Sequence, residues 1–242
     1  MVFKTRLFLE SKIDKNQTIH LSPSHIHFLF TVLRVRSNDK ITIFNGTSGE
    51  WEASLIELSK NLGVLRVESQ LRTPKQERGP WVAFAPVKKS RTNFLVEKAT
   101  ELGAEKLIPV KTKYTEQKRL NTKRLTLVAK EASEQCGRLT IPKVQEMCTF
   151  GELLENWPNR KLLIFGDESG RGAALKTLIE KYNFSTRHFC GFFIGPEGGF
   201  SGSERLVLGK TAFAEGADFG PRILRSETAV VAALSAWHAL TC

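Results

Sequence analysis

One stretch near the end of the chain narrows its fold more than any other. CGFFI at residues 190–194 is followed by GPEGG at 195–199 and FSGSE at 200–204. A short, unbroken apolar run reads as a strand buried on both faces. Gly198 and Gly199 then let the backbone pass close to a ligand without a side-chain clash, Gly199 being the glycine best explained as a turn or helix entry. Ser201 and Glu204 have the spacing of a capping box, so a helix starts there. Strand, glycine loop and helix form one βα unit, and open α/β sheets hold ligands at the carboxyl ends of such strands. A second stretch repeats the layout: EGADFG at 215–220, a turn at Gly220 and Pro221, Arg222 and Arg225, then a long apolar helix. Set side by side, the two loops make a cleft.

The rest of the chain reads as two parts. FKTRLFLE from Phe3, KITIFNG at 40–46, WEASLIEL from Trp51 and GVLRVES from Gly63 have strand patterns. SPSHIHFLFTVLR from Ser22 reads as a helix with Ile26, Leu29, Phe30 and Leu33 on one face. Residues 1–72 are therefore expected to form a small β-barrel or curled sheet with one helix. RTPKQERGP at 72–80, with two prolines and almost no apolar residue, is a linker signature, its core 73–80. From residue 81 strands alternate with helices, the mark of a parallel sheet covered on both faces. Strands are expected at 81–86, 105–110, 161–166, 190–195 and 215–220, and helices at 92–103, 122–136 and from Ala173 and Ser201. The last helix, ETAVVAALSAWHAL, is apolar nearly all round, which predicts either a place deep in the fold or a subunit interface.

Charge adds a partner. The chain carries a formal net charge of +11, and residues 73–124 hold 13 Lys and Arg against 5 Asp and Glu. An excess concentrated in one segment favours a basic face for a polyanion, with nucleic acid ahead of a membrane because no basic helix with bulky apolar anchors stands out. Cys136, Cys148, Cys190 and Cys242 lack paired spacing, so reduced thiols and no zinc or redox motif are expected. His25 and His27 sit on different helix faces, which argues against a metal role. No apolar run matches a bilayer span, and a cytoplasmic location is expected. GPEGG lacks the GK[ST] tail of a phosphate-binding loop and is not GxGxxG, and no GxSxG nucleophile elbow occurs.

Four motifs in order, EKATELGAEKLIPVKT from Glu97, EASEQCGRLTIPKV from Glu131, GPEGG with its following Ser and Glu, and ILRSETA from Ile223, resemble the RsmE family of SPOUT methyltransferases. SHIHFLFTVLRVRSNDKITIFNG resembles that family's N-terminal PUA-like β-barrel. Departures are slight: Phe219 stands where leucine is usual, Ser226 where threonine is, and Asn38 where glycine is. The resemblance implies an α/β SPOUT-type parallel sheet over 81–242 with a deep C-terminal trefoil knot, a homodimer, and methylation of N3 of one uridine in the decoding region of the 16S rRNA of the small ribosomal subunit, with S-adenosylmethionine as donor. The competing readings are a SPOUT ribose 2′-O methyltransferase and a binding-only module of ribosome assembly, for which intact glycine loops would have no use.

Under that resemblance, the loops after Phe165, Ile194 and Phe219 hold the donor. Gly166, Gly195, Gly198 and Gly220 allow close backbone approach, Ile194, Ile223 and Leu224 cover the adenine, and Pro196, Glu197 and Thr228 complete the set. Losing the N3 proton puts negative charge on the flanking carbonyl oxygens, which an arginine would stabilise. Arg225 is the first choice and Arg222 the second, with pairing of either to Glu197 or Glu227 as the alternative. Glu197 takes the proton or orients a loop. Arg6, Arg34, Arg36, Lys88, Lys89 and Arg91 are expected on RNA phosphates, and Arg138 on RNA or in the cleft.

Overall fold

The computed structural model describes residues 5–117, 119–182 and 190–241; Phe3, Lys4 and Cys242 lie outside them. The chain divides into two compact units, one of residues 1–77 with 133–140, the other of residues 78–132 with 141–242.

In the N-terminal unit, strands β1 (Arg6–Phe8) and β2 (Thr18–His20) precede helix α1 (Pro23–His27), and β3 (Lys40–Asn45), β4 (Gly49–Leu58) and β5 (Gly63–Arg72) follow. They make one five-stranded sheet in the order β1-β3-β4-β5-β2, antiparallel except for β1 on β3. Leu7, Ile41, Ile43, Leu55 and Leu65 form its apolar core. The expected helical face breaks after α1. Ser22 caps α1 through the backbone N–H of His25, but Phe28–Val32 form a π-helical turn. The wider turn changes the angular spacing of side chains. Ile26 and Leu29 stay buried, whereas Phe30 and Leu33 point outward, each 42% exposed.

Residues 133–140, expected in the C-terminal part, are bound instead to this unit by charged side chains. The Arg6 guanidinium donates to Glu50 at 2.7 Å and to the carbonyls of Ser133, Glu134 and Arg138. Arg72 pairs with Glu50 at 2.6 Å and donates to the carbonyl of Gly137. Glu77, in the linker, accepts from Arg138, Leu139 and Thr140. No spacing rule joins positions 6, 50, 72 and 138.

The C-terminal unit is an α/β fold. Its elements are β6 (Trp81–Phe84), α2 (Lys89–Glu101), β7 (Lys106–Lys111), α3 (Thr122–Cys136, whose last turn groups with the other unit), β8 (Lys143–Val144), β9 (Cys148–Thr149), α4 (Phe150–Glu155), β10 (Leu162–Gly166), β11 (Ala173–Ala174), α5 (Leu175–Tyr182), β12 (Cys190–Ile194), α6 (Gly202–Lys210), β13 (Ala214–Asp218) and α7 (Ser226–Thr241). The sheet runs β11-β13-β10-β12-β6-β7-β8, all neighbours parallel, with β9 also paired to β7.

Strand alternation sends side chains to two cores. Val82, Phe84, Ile164, Phe192 and Ile194 pack with α2, α5 and α7, while Ala83, Leu163, Phe165, Phe193 and Ile108 pack with α4 and α6. Gly191 shows how tight the second core is: a Cβ there would lie 2.3 Å from the Trp157 ring. On β12 the buried Cys190 thiol is pushed up to about 12 by burial. The final helix is buried on one face only, through Ala229, Val230, Ala233 and Leu234, while Thr228, Ser235, His238 and Ala239 are exposed. Its apolar length is therefore not wrapped on all sides, its outer face carrying small or weakly polar residues together with the exposed Leu240.

Burial acts to raise the Glu50 carboxyl, but hydrogen bonds from Arg72 and Arg6 outweigh it and hold the group below the ordinary carboxylate range. A depressed carboxylate stabilises the fold above its unfolded value, about 4.3, and that contribution disappears as pH falls through the lower folded value. Glu50→Gln is expected to cost about 3 kcal/mol at pH 7, the lower end for breaking a buried pair, and to flatten the acid limb of the denaturation profile. Urea melts from pH 3 to 7 read both effects.

Candidate active site

Three parallel strands place the site. β13, β10 and β12 are neighbours in that order, so the loops leaving their carboxyl ends at residues 167, 195 and 219 emerge together. Between them lies a cleft of about 510 Å³, within the range of roughly 300–1,000 Å³ usual for small-molecule sites. Gly166, Ile194, Gly195, Pro196, Glu197, Gly198, Phe219, Gly220, Ile223 and Leu224 all line it, as does Arg222. Two expected residues do not. Phe165 turns into the core against Phe200, ring to ring at 6.2 Å. Thr228 is exposed because Ser226 and Ala229, three apart on α7, take the cleft-facing side of the helix.

The two sequence motifs are tied directly. Ser226 Oγ donates to the carbonyl of Gly195 at 2.7 Å, a bond that the serine hydroxyl supplies as well as threonine would. The capping box forms: Ser201 Oγ accepts from the Glu204 N–H, and the Glu204 carboxylate accepts from the Ser201 N–H at 2.9 Å. Glu204 also accepts from the Lys113 N–H at 2.8 Å, so the loop after β7 is held against the glycine loop. A Cβ on Gly198 would stand 3.3 Å from Tyr114 of that segment.

Gly199 has a stricter role than a turn. It lines the cleft with φ +66°, and a Cβ there would collide with Glu168 Oε1 at 1.7 Å. Glu168, Asp167 and Asp218 give the cleft an acidic rim that the motifs did not single out, because nothing in DESG or ADFG marks a ligand. Asp218 Oδ1 accepts from the Gly220 N–H at 2.8 Å and fixes the turn.

The arginines rearrange the expected roles. Arg91, expected on RNA phosphate, hydrogen-bonds Glu197 and lies 3.7 Å from Glu227, so it is the brace anticipated from Arg222 or Arg225. Its partner Glu197 is 106 residues away, beyond any spacing rule. Glu227 is buried beneath, and its Oε2 has no hydrogen-bond partner. Arg222 is exposed on the cleft wall, whereas Arg225 is exposed outside the lining, its carbonyl accepting from Ala229 at the start of α7. Arg6 and Arg138 belong to the N-terminal unit and are committed there: four Arg6 donors are used internally, and Arg138 is 8% exposed against Glu77. Arg34, Arg36, Lys88 and Lys89 are exposed. Among the described residues no group of three or more His, Cys, Asp or Glu is placed to hold a metal ion.

Adding a methyl at a position in the left-handed region costs about 1–2 kcal/mol, while the Glu168 carboxylate, at the end of a flexible and partly exposed side chain, can swing aside. Gly199→Ala is expected to lower the unfolding free energy by about that amount, and Glu168→Ala in the same chain to recover little of it. Chemical denaturation of the two variants measures the split.

Comparison with known proteins fits this geometry. The RNA methyltransferase domain family matches residues 76–238, and the RNA methyltransferase PUA domain family matches residues 23–68. Relatives called ribosomal RNA small subunit methyltransferase E are 31% identical in Rickettsia conorii, over 95% of this chain and 93% of the relative, and 28% identical in Bacillus subtilis, over 96% and 94%. Among solved structures, the ribosomal RNA small subunit methyltransferase E of Neisseria gonorrhoeae bound to S-adenosylmethionine superposes with a TM-score of 0.83 at 26% identity, covering 98% of both chains. A Legionella pneumophila protein in complex with the cofactor SAM gives 0.86 at 25% identity, again over 98% of both. The glycine-lined cleft, its bracing by Ser226 and Arg91, and these matches lead to one assignment: the chain belongs to the RNA methyltransferase family and carries that family's PUA domain at its N-terminal side.

Proposed function

We propose that this chain transfers a methyl group from S-adenosylmethionine to N3 of a uridine in the decoding region of the 16S rRNA of the small ribosomal subunit. The observation that carries the reading is the cleft at the carboxyl ends of β10, β12 and β13, walled by the residues whose motifs match the family. S-adenosylmethionine supplies an electrophilic methyl group when bound. Backbone groups around Gly166, Gly195, Pro196, Gly198 and Gly220 hold it, Ile194, Ile223 and Leu224 offer apolar cover, and Glu168 offers a carboxylate to its hydroxyl or ammonium groups. Ile223, 91% exposed, has the most apolar surface to gain.

Uridine N3 lies on the pairing edge, so the base is unpaired or extruded before reaction. Arg222, the arginine that lines the cleft, is the group placed to stabilise charge on the carbonyl oxygens beside N3. Arg225 holds RNA at the cleft mouth. Glu197, held by Arg91, positions the loop after β12 rather than taking the proton. Arg34, Arg36, Lys88 and Lys89 contact phosphate. The proposal includes a trefoil knot through these loops, closure of the N-terminal sheet as a barrel, a homodimer to which the outer face of α7 contributes, and a cytoplasmic place of action. No helix among the described residues is long and apolar enough to cross a membrane.

Labelled methyl transfer to small subunits lacking the modification, with digestion and mass spectrometry, tests the reading. N3-methyluridine is expected; a 2′-O-methylated nucleoside, or no product, overturns it. Arg222→Ala is expected to lower kcat by about 10²-fold, the lower range for losing one charge-stabilising donor, with donor affinity nearly unchanged by calorimetry. Arg225→Ala is expected to raise the KM for RNA at similar kcat.

A further inference from the structure

The N-terminal turn of α2 serves two cavities. Arg91 reaches Glu197 in the donor cleft, while its neighbours Lys89, Thr92 and Asn93 line a second space of about 370 Å³, completed by the segment from Gln117 and the start of α3. The two cavities share no lining residue.

This second space has an unusual donor and acceptor inventory. Lys89, Arg119 and Arg124 line it and no carboxylate does. None of the three takes part in an ion pair among the described residues. Asn93 Oδ1 and Gln117 Oε1 are buried with no hydrogen-bond partner. Buried acceptors are nearly always satisfied, and leaving one bare costs stability. Thr92 does not fill the need, since its hydroxyl already bonds the Val87 carbonyl at 2.8 Å. The cations call for an anion, and the two amide oxygens call for hydrogen-bond donors. A fully ionised inorganic anion meets only the first demand, and a hydrogen phosphate offers at most its few O–H groups for the second. A nucleotide meets both, with its phosphate on the basic side chains and its base on the amides, and guanine presents a ring N–H and an amino group side by side on one edge.

We propose that this cavity holds a guanosine nucleotide of the RNA substrate, close in the strand to the base that enters the donor cleft. The proposal rests on the RNA methyltransferase reading and assigns it a specificity site: single-stranded RNA is read through the edges of splayed bases, and this pocket reads one beside the target. Arg91, between the two cavities on α2, connects occupancy of one to the loop of the other.

Calorimetry of the full chain with guanosine 5′-monophosphate, uridine 5′-monophosphate and inorganic phosphate tests the assignment. Guanosine 5′-monophosphate is expected to bind about tenfold more tightly than the other two, the discrimination of one well-paired base edge. Gln117→Leu and Arg124→Ala are each expected to weaken it by about tenfold or more, leaving S-adenosylmethionine affinity unchanged; thermal melts establish that both variants fold. Equal affinity for phosphate marks an anion site and overturns the proposal, as does binding unaltered in both variants or no binding at all. In methyl transfer, Gln117→Leu is expected to raise the KM for RNA with kcat unchanged. A wild-type chain that methylates nothing refutes the proposed function, while the nucleotide titration still decides this site.

Discussion

Parallel pairing of strands distant in sequence is the constraint on which this structure depends. β10, β12 and β13 are separated by tens of residues, yet they lie side by side and point the same way. Every loop leaving them must therefore emerge at one edge. That single requirement turns three unremarkable βα connections into a cleft, and the rest of the site refines it. The sheet can sustain the arrangement because it is covered on both sides, with aromatic residues such as Phe192 and Phe193 on adjacent positions feeding opposite cores. Backbone groups at such an edge are held by the sheet, so a ligand bound through them needs little side-chain ordering.

Four arginines are used here to hold the molecule together. Arg6, Arg72 and Arg138 bind carboxylates and backbone carbonyls that no secondary structure satisfies, and Arg91 does the same for Glu197 at the cleft. A net positive charge thus overstates the surface free for nucleic acid. What remains exposed is a smaller set, and in the C-terminal unit it includes Lys88, Lys89, Arg119 and Arg222. The planar fork of the guanidinium, able to serve several acceptors at once, suits the bracing role better than lysine would.

Much of this architecture was legible in the sequence because its signals are local. The apolar run of β12, the capping box at Ser201 and the period of α3 each depend on residues within a few positions of one another, and each stands where expected. Asn38, where the resemblance implies glycine, adopts φ +74°, a conformation asparagine tolerates better than most other side chains. What escaped was set by distance or by small changes of phase. The π-helical turn after α1 displaces Phe30 and Leu33 without altering the apolar pattern, and the partner of Glu197 lies on a helix a hundred residues earlier. Arg6 and Arg138 carry the same charge as a phosphate-binding residue, and only their burial beside acceptors distinguishes them. The acidic rim of the cleft was hidden for the opposite reason: Asp167, Glu168 and Asp218 sit in loops where acidic residues are ordinary turn formers.

Cys190 ties the sheet to a timescale of opening. Its thiol, enclosed on the central strand and pushed up to about 12, is almost wholly protonated in the native state, and only the thiolate attacks an alkylating reagent. Cys136, by contrast, is exposed. The faster-reacting sulfur lies at the end of α3 and the slower one in the middle of the sheet. Modification of Cys190 thus requires the sheet to come apart, which makes this one atom a built-in clock for the opening of the strands that carry the cleft.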